Sequence, residues 1–168
     1  MKTQEIGQSG MIASRVALGV MRMDALDAAD AARTVAVAHD SGIDYFDTAD
    51  ILWIHDHAAH VQFEAFRPSV EGRRTRPQHH LHPNQVRHRL QFRRKRWRRN
   101  GYDFSAKHLI DALDHELEAL QTDYVDAVLL HRIDTLFELN EVAEAFDALE
   151  SSGKVRHFGV SNMGPWQI

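Results

Sequence analysis

The sequence predicts an α/β protein whose strands run parallel. Segments with helical periodicity alternate with short apolar strands, the connections are long enough for helical crossovers, and polar residues follow the strands where they end. The 168-residue chain is 43% hydrophobic with a formal net charge of −4, as expected of an ordinary globular domain. The order of elements fits either a doubly wound sheet or a (β/α) barrel.

The first predicted elements are a strand, a helix and a second strand. Residues 16–20, VALGV, are a short apolar strand candidate. Residues 27–42 form an Ala-rich helical segment that Gly42 closes as a left-handed C-cap. Residues 43–50, IDYFDTAD, predict the next strand.

A second helix and a third recognisable strand follow residue 100. Ser105 is predicted to cap this helix, and four leucines at helical spacing share one of its faces. They are Leu109, Leu113, Leu117 and Leu120. Residues 124–131, YVDAVLLH, are almost wholly apolar toward their end, as a buried parallel strand requires.

The last helix and strand complete the pattern. Asn140 is predicted to cap a helix that Gly153 stops. Its inward side chains are Val142, Phe146 and Leu149. Residues 155–162, VRHFGVSN, predict the final strand and its exit loop, which gives the order β-α-β, then the atypical residues 51–100, then α-β-α-β.

Residues 51–100 differ in composition from the rest of the chain. They hold 12 of the 20 Lys and Arg, 7 of the 12 His and three acidic residues, for a formal charge of +9. The remaining residues carry −13, from 8 basic and 21 acidic side chains. Such asymmetry is typical of a segment that binds an acidic partner, but it also fits a segment that does not belong to the surrounding domain.

Polar residues stand where three of the predicted strands stop. They are Asp47 and Asp50, His131 and Arg132, and Ser161 and Asn162. The carboxyl ends of parallel strands form the ligand-facing rim of α/β folds, so these residues predict a site. Each also has a structural alternative: a turn at Asp50, a helix N-cap at Ser161, or a hydrogen-bonded structural histidine at His131.

Four strings resemble sequences of the aldo-keto reductases. The resemblance is strongest to bacterial members that are described as oxidoreductases. The strings are LGVMRM, GIDYFDTADI, DYVDAVLLHRID and EVAEAFDALESSGKVRHFGVSN, and the resemblance covers about residues 3–51 and 101–168. It implies a (β/α)8 TIM barrel that reduces small aldehydes or ketones with NADPH and no metal. The chain would form one incomplete barrel domain over residues 1–168, truncated after the fifth βα unit and with the third strand region scrambled.

The resemblance also implies roles for five residues. Asp47 and His131 match the catalytic Asp and His of the family. Ser161 and Asn162 match the pair that hydrogen-bonds the nicotinamide carboxamide, and Met21 is implied to contact the cofactor. In that chemistry a tyrosine hydroxyl donates the proton, a lysine and the Asp tune the pKa of the tyrosine, and the His orients the carbonyl oxygen.

The chain departs from the family pattern at two of the four catalytic groups. Leu52 stands where the tyrosine of DxADxY is expected, and no string resembles the strand that ends in the lysine. Both departures fall within residues 51–100, which are predicted to be irregular or disordered. The polypeptide as written is therefore expected to lack measurable reductase activity.

A shifted reading frame accounts for both missing groups. If Leu52 is encoded by TTA, its last two bases and the first base of the Trp53 codon read TAT, a tyrosine. The same operation on residues 79–88 permits IYIQTKCGI, in which CAA at Gln85 followed by G reads AAG, a lysine. A frameshift near Ile51 that is compensated before Gly101 is therefore the hypothesis for this segment.

Two other interpretations of the same segment stay open. The basic run RRKRWRRN at residues 93–100 is typical of a nucleic-acid arm, so a non-enzymatic binding module is the alternative function. HDHAAH at 55–60 and HHLH at 79–82 have metal-ligand spacings, for which adventitious binding is the expectation.

Location and assembly are predicted from simple features. The N-terminal MKTQEIGQSGMIAS lacks the apolar core of a signal peptide, no apolar run reaches membrane-spanning length, and there is no cysteine. A cytoplasmic protein without disulfides is expected. Five strands cannot close an eight-stranded barrel, so exposed sheet edges predict self-association, while the sequence indicates no defined oligomer.

Overall fold

Five parallel strands form the central sheet of the chain. The computed structural model describes residues 1–20, 22–49, 87–92, 95–96, 99–100, 103–120, 122–132 and 135–168. The strands are β1 Thr3–Glu5, β2 Ile12–Ser14, β3 Leu18–Gly19, β4 Tyr45–Ala49, β5 Arg87–Phe92, β6 Lys95–Arg96, β7 Arg99–Asn100, β8 Val125–Leu130 and β9 Val155–Val160. The described α-helices are α1 Ala28–Asp40, α2 Ala106–Leu120 and α3 Leu139–Ser151, with short 3₁₀ turns at Met23–Ala25 and Pro165–Gln167.

The order of the central sheet is β3-β4-β5-β8-β9, and every neighbouring pair is parallel. Helix α1 connects β3 to β4, α2 precedes β8, and α3 connects β8 to β9. This arrangement confirms the predicted α/β class and its alternation of strands and helices. Across the described ranges the sheet is open, because β3 and β9 are its edges, and it is not a closed barrel.

The middle strand of the sheet comes from the basic segment. Strand β5 pairs with β4 over five register positions and with β8 over four. Residues 87–92 form a regular strand within the segment predicted to be irregular, and the scrambled sequence of the third strand region stays a prediction. The hydrogen bonds between neighbouring strands are made by the backbone. A sequence without an apolar strand pattern can therefore still form a strand between β4 and β8. Residues 51–86 lie outside the described residues, so for them the prediction of an irregular or disordered segment is untested.

Helices α1 and α2 form as predicted. Gly42 follows α1 with φ of +84°, the left-handed conformation expected of its C-cap glycine. At the start of α2, Ser105 Oγ accepts a hydrogen bond from His108 N at 3.4 Å. The four leucines predicted to share one face are all buried: Leu109, Leu113, Leu117 and Leu120. They pack with Phe46 and Val128 into a single core between the helices and the sheet.

The start of α3 differs from the prediction. Its N-cap is Glu138, so the predicted cap at Asn140 is wrong. Tertiary contacts set this end of the helix. Phe137 packs edge-on against Phe104 with ring centroids 6.1 Å apart, and Glu141 Oε1 accepts a hydrogen bond from Ala106 N at 2.9 Å. The capping residues in a sequence do not predict such tertiary contacts.

The inward face of α3 is as predicted. Val142 and Leu149 are buried, and the half-buried Phe146 stacks on Phe158 of β9 at 3.9 Å between ring centroids. Gly153 follows the helix with φ of +73°. The helix is therefore held against the last strand of the sheet by aromatic stacking.

An N-terminal hairpin precedes the sheet and was not predicted. Strands β1 and β2 pair antiparallel. Ser14 N donates to Asp44 Oδ1 at 2.7 Å, and Asp44 N donates to Ser14 Oγ at 3.2 Å. This reciprocal pair attaches the hairpin to the residue before β4, at the end of the sheet opposite the predicted site.

Candidate active site

Asp47 lies on the face of β4 that is turned away from the core. Its neighbours Phe46 and Thr48 are buried, at 0% and 4% exposure, whereas Asp47 is half-buried. Side chains alternate across a strand, so Asp47 projects from the opposite face. Its carbonyl oxygen accepts a hydrogen bond from Val20 N at 3.1 Å, just beyond the end of β3. The predicted catalytic Asp is thus placed where β3 and β4 meet.

His131 directly follows β8, as predicted from the sequence. The strand is buried along most of its length, and Leu130 is 6% exposed. His131 itself is half-buried. The end of a buried strand therefore delivers this imidazole to the rim of the sheet, with Arg132 exposed next to it.

Two hydrogen bonds join the end of β9 to the end of β8, and a third links the two residues that follow β9. Ser161 N donates to Leu130 O at 2.8 Å. Asn162 Nδ2 donates to His131 O at 2.8 Å and to Ser161 Oγ at 2.9 Å. A carbonyl oxygen can only accept, so these contacts assign the nitrogen of the Asn162 amide to the His131 side. Three residues that the sequence places in two separate motifs therefore form one cluster, the rim cluster His131, Ser161 and Asn162.

Asp47 does not belong to the rim cluster. Through β5 it is in register with Ala127, which lies four residues before His131. At about 3.3 Å per residue, His131 is roughly 13 Å further along the sheet than Asp47. The structure thus brings the rim cluster together and sets Asp47 deeper along its strand, on the other side of β5.

Several sequence predictions fall on residues that the structure leaves undescribed. Met21, Asp50 and Leu52 are among them, so the roles of Met21 and Asp50 and the loss of the tyrosine at position 52 stay predictions. Of the run at 93–100, the structure describes the paired strands β6 and β7. The nucleic-acid alternative is likewise untested.

The described part of the chain holds neither a metal centre nor a membrane span. No group of three or more His, Asp or Glu side chains there is placed to hold a metal ion. No helix there is both long enough and apolar enough to cross a bilayer. The histidine-rich strings at 55–60 and 79–82 lie outside these ranges.

The sequence did not predict the contact between Asn162 and His131. Asn162 has φ of +57°, the left-handed conformation in which asparagine is enriched among non-glycine residues. An asparagine directly after a strand is a signal for such a turn. The partner of its side chain, which lies 31 residues earlier, is not readable from the sequence.

Comparison with known proteins relates the chain to one family. The sequence model of the aldo/keto reductase family matches residues 15–168. A 6-dehydroglucose reductase of Novosphingobium aromaticivorans is 35% identical over 98% of this chain and 53% of that protein. An oxidoreductase of Escherichia coli is 52% identical, but over 61 residues, which are 36% of this chain and 20% of that protein.

A solved structure has the same fold. The holo form of an aldo-keto reductase from Bacillus halodurans superposes with a TM-score of 0.77 and 26% identity, over 98% of this chain and 51% of that chain. The chain thus spans about half the length of the relatives that it matches throughout.

Proposed function

Because the chain belongs to the aldo/keto reductase family of oxidoreductases, we propose that its rim binds the nicotinamide of NADPH beside a small aldehyde or ketone. In this proposal Ser161, Asn162 and Met21 contact the cofactor, and Asp47 and His131 are the catalytic residues. The holo form of the similar Bacillus halodurans structure supports a bound cofactor in this fold. The name of the similar 6-dehydroglucose reductase supports a carbonyl substrate.

The hydrogen-bond polarity of the rim cluster is the observation that carries the proposal. Both Nδ2 hydrogens of Asn162 are engaged, by His131 O and Ser161 Oγ, so its Oδ1 is the acceptor that remains. Ser161 Oγ accepts from Asn162, so its own hydroxyl hydrogen is the donor that remains. An acceptor next to a donor matches a primary carboxamide, which offers an N–H and a carbonyl oxygen. The residues present therefore fit nicotinamide.

The two remaining catalytic residues act on the substrate oxygen and its proton donor. Bound NADPH supplies the hydride. His131 would orient the carbonyl oxygen from the rim, and Asp47 would act electrostatically from deeper in the sheet. Leu52 has no ionisable group, so it cannot donate the proton that a tyrosine in its place would donate. The proposed site thus keeps its cofactor and substrate contacts and lacks its proton donor.

The proposed cause of that loss is a frameshift over about residues 51–100. The formal charge of +9 on this segment, against −13 on the remaining residues, supports it. With TTA at Leu52 and CAA at Gln85, the shifted frame permits both missing groups, at positions 52 and 85. Strand β5 is compatible with this account, since its ladder with β4 and β8 needs only backbone N–H and C=O groups, which all six of its residues have.

Ser161→Ala is expected to weaken binding of the nicotinamide end of NADPH. The substitution removes the donor for the carboxamide oxygen, which at about 0.5–1.5 kcal/mol corresponds to roughly 2- to 12-fold in Kd. Saturation-transfer NMR on the purified chain measures transfer to the nicotinamide protons as NADPH is titrated.

Ser152→Ala is the matched control for this experiment. Ser152 follows α3 and donates to Leu149 O at 2.9 Å, at the end of the sheet away from the rim. This variant should bind NADPH like the parent chain. Absence of transfer to the nicotinamide protons in the parent, or equal Kd values for all three proteins, would contradict the proposed site.

A further inference from the structure

The contact between Asn162 and His131 lies beyond the last ladder bond of the sheet. Strands β8 and β9 are in register up to Leu130 and Val160, and Ser161 N then donates to Leu130 O at 2.8 Å. That bond fixes the backbone at Leu130. The next carbonyl along β8, that of His131, is bound by Asn162 Nδ2 at 2.8 Å, and so by a side chain instead of a strand.

The backbone of Asn162 is arranged so that its side chain can turn back to β8. Its φ of +57° is in the left-handed region, which asparagine enters because its short amide can form local hydrogen bonds. The backbone turns away from the direction of β9 at this residue. The side-chain amide of Asn162 then lies between His131 O and Ser161 Oγ. An alanine would lose both bonds and would also be strained at this φ.

We propose that Asn162 is a positioning residue for His131, in addition to any contact that it makes with a cofactor. By holding the carbonyl of His131, it restricts the backbone from which the imidazole projects, and thereby the side-chain rotamer. Strand pairing does not need this contact, since the ladder and the Ser161–Leu130 bond already hold β8 and β9 together. The inference rests on the proposed role of His131.

Two substitutions that remove the donor in different ways test this proposal on the chain as it exists. Asn162→Gly keeps the left-handed backbone at no steric cost. Asn162→Asp keeps the shape of the side chain but has no N–H to donate. In both we expect the three-bond couplings of the His131 side chain to lose their single-rotamer values and average. Resonances of His131 are assigned by difference from a His131→Gln variant.

The Ser161 amide is the internal reference in each variant. Its hydrogen bond to Leu130 O should persist, so its hydrogen-exchange protection should stay that of the parent chain. Unchanged His131 couplings in both variants would overturn the proposal. Loss of Ser161 protection together with the His131 change would also overturn it, because Asn162 would then hold the strands together instead of positioning one residue.

No cofactor takes part in this measurement. A failure to detect nicotinamide binding would therefore count against the proposed function and leave the rotamer result standing. Conversely, a freely rotating His131 in the parent chain would count against the positioning role alone.

Discussion

Restoring the proposed reading frame over residues 51–100 should raise NADPH-dependent carbonyl reduction from below detection to a measurable rate, because it adds a proton donor that contributes about 10²–10⁴-fold. The frame-restored chain has a tyrosine in place of Leu52 and a lysine in place of Gln85. That range is the usual contribution of a positioned proton donor, and the chain as written has none at position 52. Loss of NADPH absorbance with a panel of aldehydes and ketones measures the difference.

Two controls separate proton transfer from a general repair of the fold. A frame-restored chain with phenylalanine at position 52 should return to the low rate, because it keeps the ring and lacks the hydroxyl. Leu52→Tyr alone, in the unrestored chain, should stay inactive, because the lysine is still missing. Turnover by the chain as written at the level of the frame-restored chain would contradict the proposed loss.

Leu113→Ala should lower the free energy of unfolding by about 2–5 kcal/mol. Leu113 has 0% exposure on the face of α2 that packs against the sheet, so the substitution leaves a cavity in the core. A loss of this size is a large part of the total stability of a single domain, roughly 5–15 kcal/mol. Urea denaturation followed by circular dichroism measures it.

Leu136→Ala makes the same chemical change on the surface. Leu136 is 88% exposed, so its truncation should alter the free energy of unfolding by no more than about 0.5 kcal/mol. Equal losses for the two variants would mean that α2 does not pack on the sheet as described.

Sequence periodicity predicted most of the fold because the elements concerned bury one face. The leucines of α2 repeat at helical spacing and β8 is an apolar run, and the four leucines pack into the core with Val125, Val128 and Leu130. Gly42 and Gly153 mark helix ends because glycine adopts positive φ at no steric cost. The strand-end positions of His131 and Ser161 were predicted on the same basis, whereas Asp47 lies in the middle of β4 and not at its end.

The remaining features depend on contacts between distant residues. Helix α3 has its N-cap at Glu138 because the first turn of the helix packs on the start of α2, a contact that no capping motif encodes. Strand β5 is defined by its two neighbours, not by its own sequence. The bond between Asn162 and His131 joins residues 31 positions apart, so the rim cluster becomes visible only in three dimensions.

The nucleotide sequence spanning codons 50 to 101 tests the central claim most directly, namely that this chain is a reductase whose tyrosine and lysine are encoded but not translated. The account predicts a second frame, offset by one base and open throughout, that reads tyrosine at codon 52 and lysine at codon 85. A stop codon in that frame, or the absence of either residue from it, would contradict the account.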